Sequence, residues 1–154
     1  MILSKVIVFR TGNEEYAIPL PFVVSIEKMG TATPIPHMPD FVKGIVEIRE
    51  ELIPIIDLEY IFYSRTLKMD ENARLIVIQS AKLSLGLLVN EAKEIIEISE
   101  EKIKQVGLLA FADTAYISGV ANLEKRLITI INPETLIESL DGITDLQEYM
   151  KSHH

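Results

Sequence analysis

The chain contains no cysteine and no tryptophan. The missing cysteine excludes disulfides, thiolate nucleophiles and cysteine-ligated metals, and it fits a reducing compartment. Histidine is almost absent as well. His37 lies in a loop between Pro36 and Met38, and His153 and His154 close the chain, where they read as an adventitious metal site or the remnant of a purification tag. A structural zinc site lacks its ligands, so no metal and no cofactor is expected. No run approaches the ~18 apolar residues of a membrane helix. The start of the chain lacks the basic, apolar and small-residue order of a leader. The expectation is a cytoplasmic chain with no direct membrane insertion. Lys and Arg number 15 against 23 Asp and Glu, a net charge of −8. No basic strip with interleaved aromatics breaks this excess, so a nucleic-acid partner is excluded. No G-x-S-x-G, H-E-x-x-H or P-loop pattern occurs. Carboxylates abound, yet none is isolated in the apolar setting that tunes an acid or base. The chain is read as no enzyme, with no catalytic residue.

What is present is aliphatic. Hydrophobic residues make up 48% of 154 residues, and aromatics only 6%. That composition folds, as one compact unit or two very small ones. Residues 3–9 and 16–20 predict a hairpin about Thr11-Gly12-Asn13. Residues 21–29 fit either a short helical turn or a strand, since Phe22, Val23 and Ile26 share a helical face. One glycine and three prolines hold residues 30–40 as an extended loop. Strands follow at 42–48 and 52–56, and Asp57 caps a short helix over 58–63. Residues 64–72 are a polar connector. Residues 74–79 and 83–89 predict a second hairpin, with the apolar pattern continuing through Ile95, Ile96 and Ile98. Ser99 fits the cap of a helical turn reaching Ile103, and residues 104–115 have no clear pattern. Asn132-Pro133-Glu134 marks a helix start, and Thr144 with Gln147 fits a capping box for a final helix over roughly 145–151.

The chain repeats itself. FVKGIVEIREELIPIIDLEYI (41–61) aligns without a gap on YISGVANLEKRLITIINPETL (116–136), at a constant offset of 75 residues from Gly44 to Gly119, Leu52 to Leu127 and Glu59 to Glu134. Asp57 falls on Asn132, cap on cap. The charged knot at Glu47, Arg49, Glu50 and Glu51 recurs as Glu124, Lys125 and Arg126. A weaker likeness joins Tyr16-Ala17-Ile18 to Leu85-Gly86-Leu87, each followed by an apolar run, ending near Ile26 and Ile95. Each half therefore reads as a β-unit of about 70 residues, too small to be stable alone. The fold class is mostly β, two small barrels packed together. The charged knots lie at hairpin tips, where charge also blunts edge pairing.

Five stretches carry a resemblance to a known family. They are EEYAIPL (14–20), IPHMPDFVKG (35–44), IR at 48–49 followed by LIPIIDL (52–58), GLLVNE (86–91) and YISGVANLEKRLITIIN (116–132). In order and spacing the chain resembles the CheW-type coupling proteins of bacterial chemotaxis over about residues 4–140. The resemblance implies two intertwined SH3-like five-stranded β-barrels with short helices and a C-terminal helix. It implies one domain over 1–154, the second barrel centred on about 70–130. It also implies a non-catalytic adaptor, cytoplasmic and recruited to receptor arrays. Its partners would be the regulatory domain of a CheA-type chemotaxis histidine kinase, built on the same fold, and the cytoplasmic tip of methyl-accepting chemoreceptors, a helical hairpin.

Residue by residue, Arg49 matches the family's arginine on the receptor-facing side, and Val23 an apolar position tied to receptor contact. Val24, Ile26 and Glu50 lie beside them and complete the receptor-binding set. Leu123, Glu124, Lys125 and Arg126 match the side tied to the kinase. The plain alternatives are core for the three β-branched residues and an internal bridge to Glu47, Glu50 or Glu51 for Arg49. The family's Asn-Leu-Arg-Gly reads Glu47-Ile48-Arg49-Glu50 here, and its acid after G-L-L-V is Asn90. A glutamate in the glycine's left-handed conformation costs on the order of 1–2 kcal/mol, so another tip geometry is expected. Two other readings are a relative that binds the kinase but not receptors, and a β-barrel holding a small apolar ligand. Barrels of this size generally fill with their own side chains.

Overall fold

The computed structural model describes residues 2–81, 83–105 and 115–152. Eleven strands and three helices follow in order among them. The strands are β1 Leu3–Thr11, β2 Glu14–Pro19, β3 Val23–Lys28, β4 Val42–Ile48, β5 Glu51–Asp57, β6 Arg74–Gln79, β7 Ser84–Val89, β8 Glu91–Ser99, β9 Ile103–Lys104, β10 Ile117–Leu123 and β11 Arg126–Ile131. The helices are α1 Leu58–Tyr63, α2 Pro133–Ser139 and α3 Ile143–Ser152. The stretch at 21–29 resolves into both alternatives: a 3-10 turn over Leu20–Phe22, entered through Pro21, then β3. Of the unpatterned stretch 104–115, residues 106–114 lie outside the described residues, as do His153 and His154.

The strands form two curled sheets, the SH3-like barrels of a mostly β fold. One runs β8-β1-β2-β11-β10-β9, the other β3-β6-β7-β5-β4. Neither is a contiguous half of the chain. The hairpin β1–β2 sits among the strands of the second half, and its repeat equivalent β6–β7 sits among those of the first. Each exchanged hairpin is joined by a short parallel pairing: Tyr16 and Ala17 with Thr129 and Ile130, and Gly86 and Leu87 with Ile55 and Ile56. Ile55 and Ile130 are repeat mates, so Ala17 and Gly86 occupy the same place in their sheets. The weak upstream likeness between them is a structural equivalence.

The alternation of each strand sorts its aliphatic side chains between two faces. Val46, Ile53, Ile55, Leu75 and Leu88 fill one barrel. Val6, Val8, Ala17, Ile98, Ile128 and Ile130 fill the other. The largest cluster lies between the sheets, where Ile7, Phe9 and Ile18 meet Ile56, Ile76, Ile78 and Leu87, with Leu136, Ile143 and Leu146 from α2 and α3. The repeat glycines Gly44 and Gly119 both fall where the register slips in the β4–β5 and β10–β11 ladders. Gly44 has φ 133°, and a Cβ there would lie 2.4 Å from the Thr33 carbonyl oxygen. That close approach lets the proline loop close on β4 through two backbone bonds between Thr33 and Ile45.

Both repeat caps form as the sequence predicts. Asp57 accepts from the Tyr60 amide, and Asn132 from those of Glu134 and Thr135. Asp57 is fully buried and also accepts from the Leu67 amide at 2.8 Å, with Lys43 Nζ at 4.0 Å. Two predicted caps do not form. The final helix starts at Ile143, so Thr144 lies inside it rather than capping it. Backbone bonds from Ile143 to Leu140 and from Leu146 to Gly142 make its first turn. Ser99 does precede a 3-10 turn over Glu100–Lys102, but its hydroxyl makes no cap hydrogen bond.

Candidate interaction surfaces

Strand β3 is the edge of its sheet, paired only to β6, and its exposure alternates. Val24 and Ile26 face outward at 56% and 41% exposure, whereas Val23 and Phe22 pack against the inter-sheet core. Ile26 pairs across to Ile76, a core residue, so the exposed stripe is the unclosed margin of the inter-sheet face. On the other side β8, the edge of the second sheet, touches β6. There Ile95, the repeat counterpart of Ile26, is 56% exposed and pairs with buried Ile7. β3 and β8, equivalent edge strands of the two sheets, thus each expose an apolar residue at the margin of the inter-sheet seam. Ile95 was not nominated from the sequence, although the repeat that aligned it with Ile26 carried the signal.

The β4–β5 tip departs from expectation. Arg49 and Glu50 form a two-residue loop with φ 51° and 68°, both left-handed. The glutamate therefore takes the conformation that glycine takes freely, and the altered geometry expected from the Gly-to-Glu change is not found. The reason is the short hairpin: pairing Ile48 with Glu51 leaves two residues to reverse the chain, and the right-handed strand twist favours left-handed φ at both. Arg49 does make an internal ion pair, but its partner is Glu27 on β3 at 3.5 Å, not Glu47, Glu50 or Glu51. The pair bridges β3 and the tip, near which Met29, Ala32 and Ile48 seal the barrel. The Arg49 side chain still stands 75% exposed.

At the repeat tip on β10–β11 only Lys125 is left-handed, at φ 59°. Glu124 and Lys125 are exposed, and Leu123 packs against its barrel core. Arg126, placed with them from the sequence, does a different job. It donates to both carboxylate oxygens of Glu15, at 2.9 and 2.8 Å, and to Glu94 at 3.0 Å. Arg126 shares its strand face with Ile128 and Ile130, Glu15 with Ala17, and Glu94 pairs with Val8, so the three close the mouth of that barrel. The hydrogen bond from Arg126 holds the Glu15 carboxyl below its usual range despite some burial, and Glu15 in turn raises the guanidinium. Val23, Val24, Ile26, Arg49 and Glu50 thus gather around β3, while Leu123 to Arg126 belong to the other sheet.

Among the described residues no group of His, Cys, Asp or Glu could hold a metal, and no helix is long and apolar enough to cross a membrane. Among the described residues, the strongly perturbed side chain packed on the inter-sheet core is Tyr16. Burial, then its hydroxyl contact with Tyr63, raises its pKa and keeps it neutral. It stacks with Phe9 and Phe62 as core, not as a base.

A family model for the CheW-like domain matches residues 5–141. The chain belongs to the CheW-like domain family. It is 30% identical over 151 residues to the chemotaxis protein CheW of Klebsiella aerogenes, covering 97% of this chain and 90% of that one. The crystal structure of the scaffolding protein TtCheW from Thermoanaerobacter tengcongensis is similar at TM-score 0.80 and 29% identity, over 92% of both chains. The chain is also 29% identical over 126 residues to the chemotaxis protein CheA of Listeria monocytogenes, matching 19% of that longer protein. A CheW-like chain of this fold is a chemotaxis coupling adaptor.

Proposed function

We propose that this adaptor is non-catalytic and couples the cytoplasmic tip of a chemoreceptor to a CheA-type histidine kinase, working at membrane-associated receptor arrays. The exposed Val24 and Ile26 on β3, with Ile95 on the equivalent edge strand β8, carry the receptor half of this reading. A helix of a receptor tip lays apolar side chains into such a seam, the helix-in-groove mode. Arg49 stands beside it with its outer face free to make planar contacts to a carboxylate or to backbone carbonyls. Glu50 then sets which charges the receptor can present.

The kinase half uses the other sheet. A kinase regulatory domain built on the same fold would meet the β10–β11 tip through Glu124 and Lys125, with Leu123 behind them. Arg126 acts there as a positioning residue, holding the tip through Glu15 and Glu94. Calorimetric titration against a kinase regulatory domain and a receptor tip tests both halves. Ile26→Lys is expected to abolish receptor binding and leave kinase binding intact. Kinase binding with no receptor binding by the unaltered chain would instead favour a kinase-only relative, a reading that the acidic Glu47 and Glu50 support.

A further inference from the structure

The β4–β5 tip has a second side, which shares only Glu50 with the receptor-binding set. Between the tip, the start of β7 and α3 lies a groove of about 450 Å³, lined by Glu50, Glu51, Leu52, Pro54, Leu83, Ser84 and Met150. Its floor is apolar. Leu52 and Pro54 share the strand face of Ile56, the inter-sheet face, and Leu83 and Met150 pack against the same core. Leu52 is 36% exposed, on the groove side of β5. The lip is acidic: Glu50 and Glu51 are both exposed, and no Lys or Arg lines the groove among the described residues. Arg49, beside the lip in sequence, is turned to Glu27 on β3, and Lys151 follows Met150 on α3. The groove shares no residue with the Val24, Ile26 and Ile95 seam.

An apolar floor with two glutamates on its lip favours a partner with an apolar stripe bordered by positive charge. An amphipathic helix carries that pattern, because residues three and four apart share a face and the next positions flank it. We infer that this groove docks a short cationic amphipathic helix, apolar side chains toward Leu52 and Leu83 and Lys or Arg toward Glu50 and Glu51. Glu50 is the one residue common to this groove and the receptor-binding set, and the inference concerns what the groove accepts, not which protein presents it.

The test uses the full chain and two model peptides, a Leu/Lys helix with one apolar face and its Leu/Glu counterpart, followed by amide chemical shifts. The expected result is binding of the Leu/Lys peptide alone, with shifts centred on Leu52, Leu83, Ser84 and α3. The double variant Glu50→Lys, Glu51→Lys, at two exposed positions, should keep its melting temperature and lose about tenfold in affinity. Shifts scattered over the acidic surface would overturn the inference, as would shifts centred on the β3–β8 seam. Equal binding of the Leu/Glu peptide, or an affinity unchanged in the double variant, would do the same.

Discussion

Arg49 and Glu50 sit in a conformation that costs an L-residue about 1–2 kcal/mol. Glu50→Gly removes that strain and loses part of the gain to a more flexible unfolded chain. A net stabilisation of up to about 1 kcal/mol is expected in urea unfolding, and a destabilised variant would mean that the Glu50 side chain contributes more than its exposure implies. Arg49→Ala should change stability by less than about 1 kcal/mol, since its pair with Glu27 is largely exposed, and should weaken receptor binding. At Glu15 the sign is set by the hydrogen bond from Arg126. Its folded pKa is depressed, so its contribution is complete above the unfolded carboxyl value and is lost as pH falls through the folded one. Unfolding between about pH 5 and 3 should show a shallower loss of stability in Glu15→Gln than in the parent chain. The sequence marked these charged knots as tips, but it could not pair their side chains. Glu27 and Glu15 come to Arg49 and Arg126 from distant strands, and only the closed barrels bring them near.

The turns and caps of single elements were legible because their physics is local. Asp57 and Asn132 announced α1 and α2 by residue type and spacing, and both cap as expected. They differ in what else they hold. Asn132→Ala loses a cap, at about 1 kcal/mol. Asp57→Ala also strips the Leu67 amide of a buried charged acceptor, and about 3 kcal/mol is expected, read from paired urea titrations. Equal losses for the two would show the Leu67 bond to be of no consequence. Thr144 misled because a capping box is a pattern of side chains, whereas the first turn of α3 is closed by carbonyls of Leu140 and Gly142. Gly44 was visible as half of a repeat, but its reason, the Thr33 carbonyl against its α-carbon, belongs to a loop folded back on the strand.

For the whole molecule, the repeat and the mostly β composition were plain in the sequence, and the intertwining came from resemblance alone. No local pattern announces that Ala17 pairs with Ile130. The exchange makes each sheet depend on both halves. Cleaving the chain in the connector near exposed Met69 should therefore give two fragments that are unfolded separately and regain native circular dichroism when mixed. A folded isolated half would contradict the interlocked architecture. The intact chain should unfold in a single transition, because neither barrel can lose its strands without opening the other.

The same exchange has a consequence for symmetry. Two copies of one β-unit that trade their first hairpins have the geometry of a swapped homodimer with its chains joined end to end. In such a homodimer both tips are identical. Within one chain the two tips are free to differ. One tip now carries Arg49 and Glu50 where its twin carries Glu124 and Lys125, the charges reversed position by position. A symmetric dimer offers every partner two equal sites, whereas tips of different charge discriminate between partners.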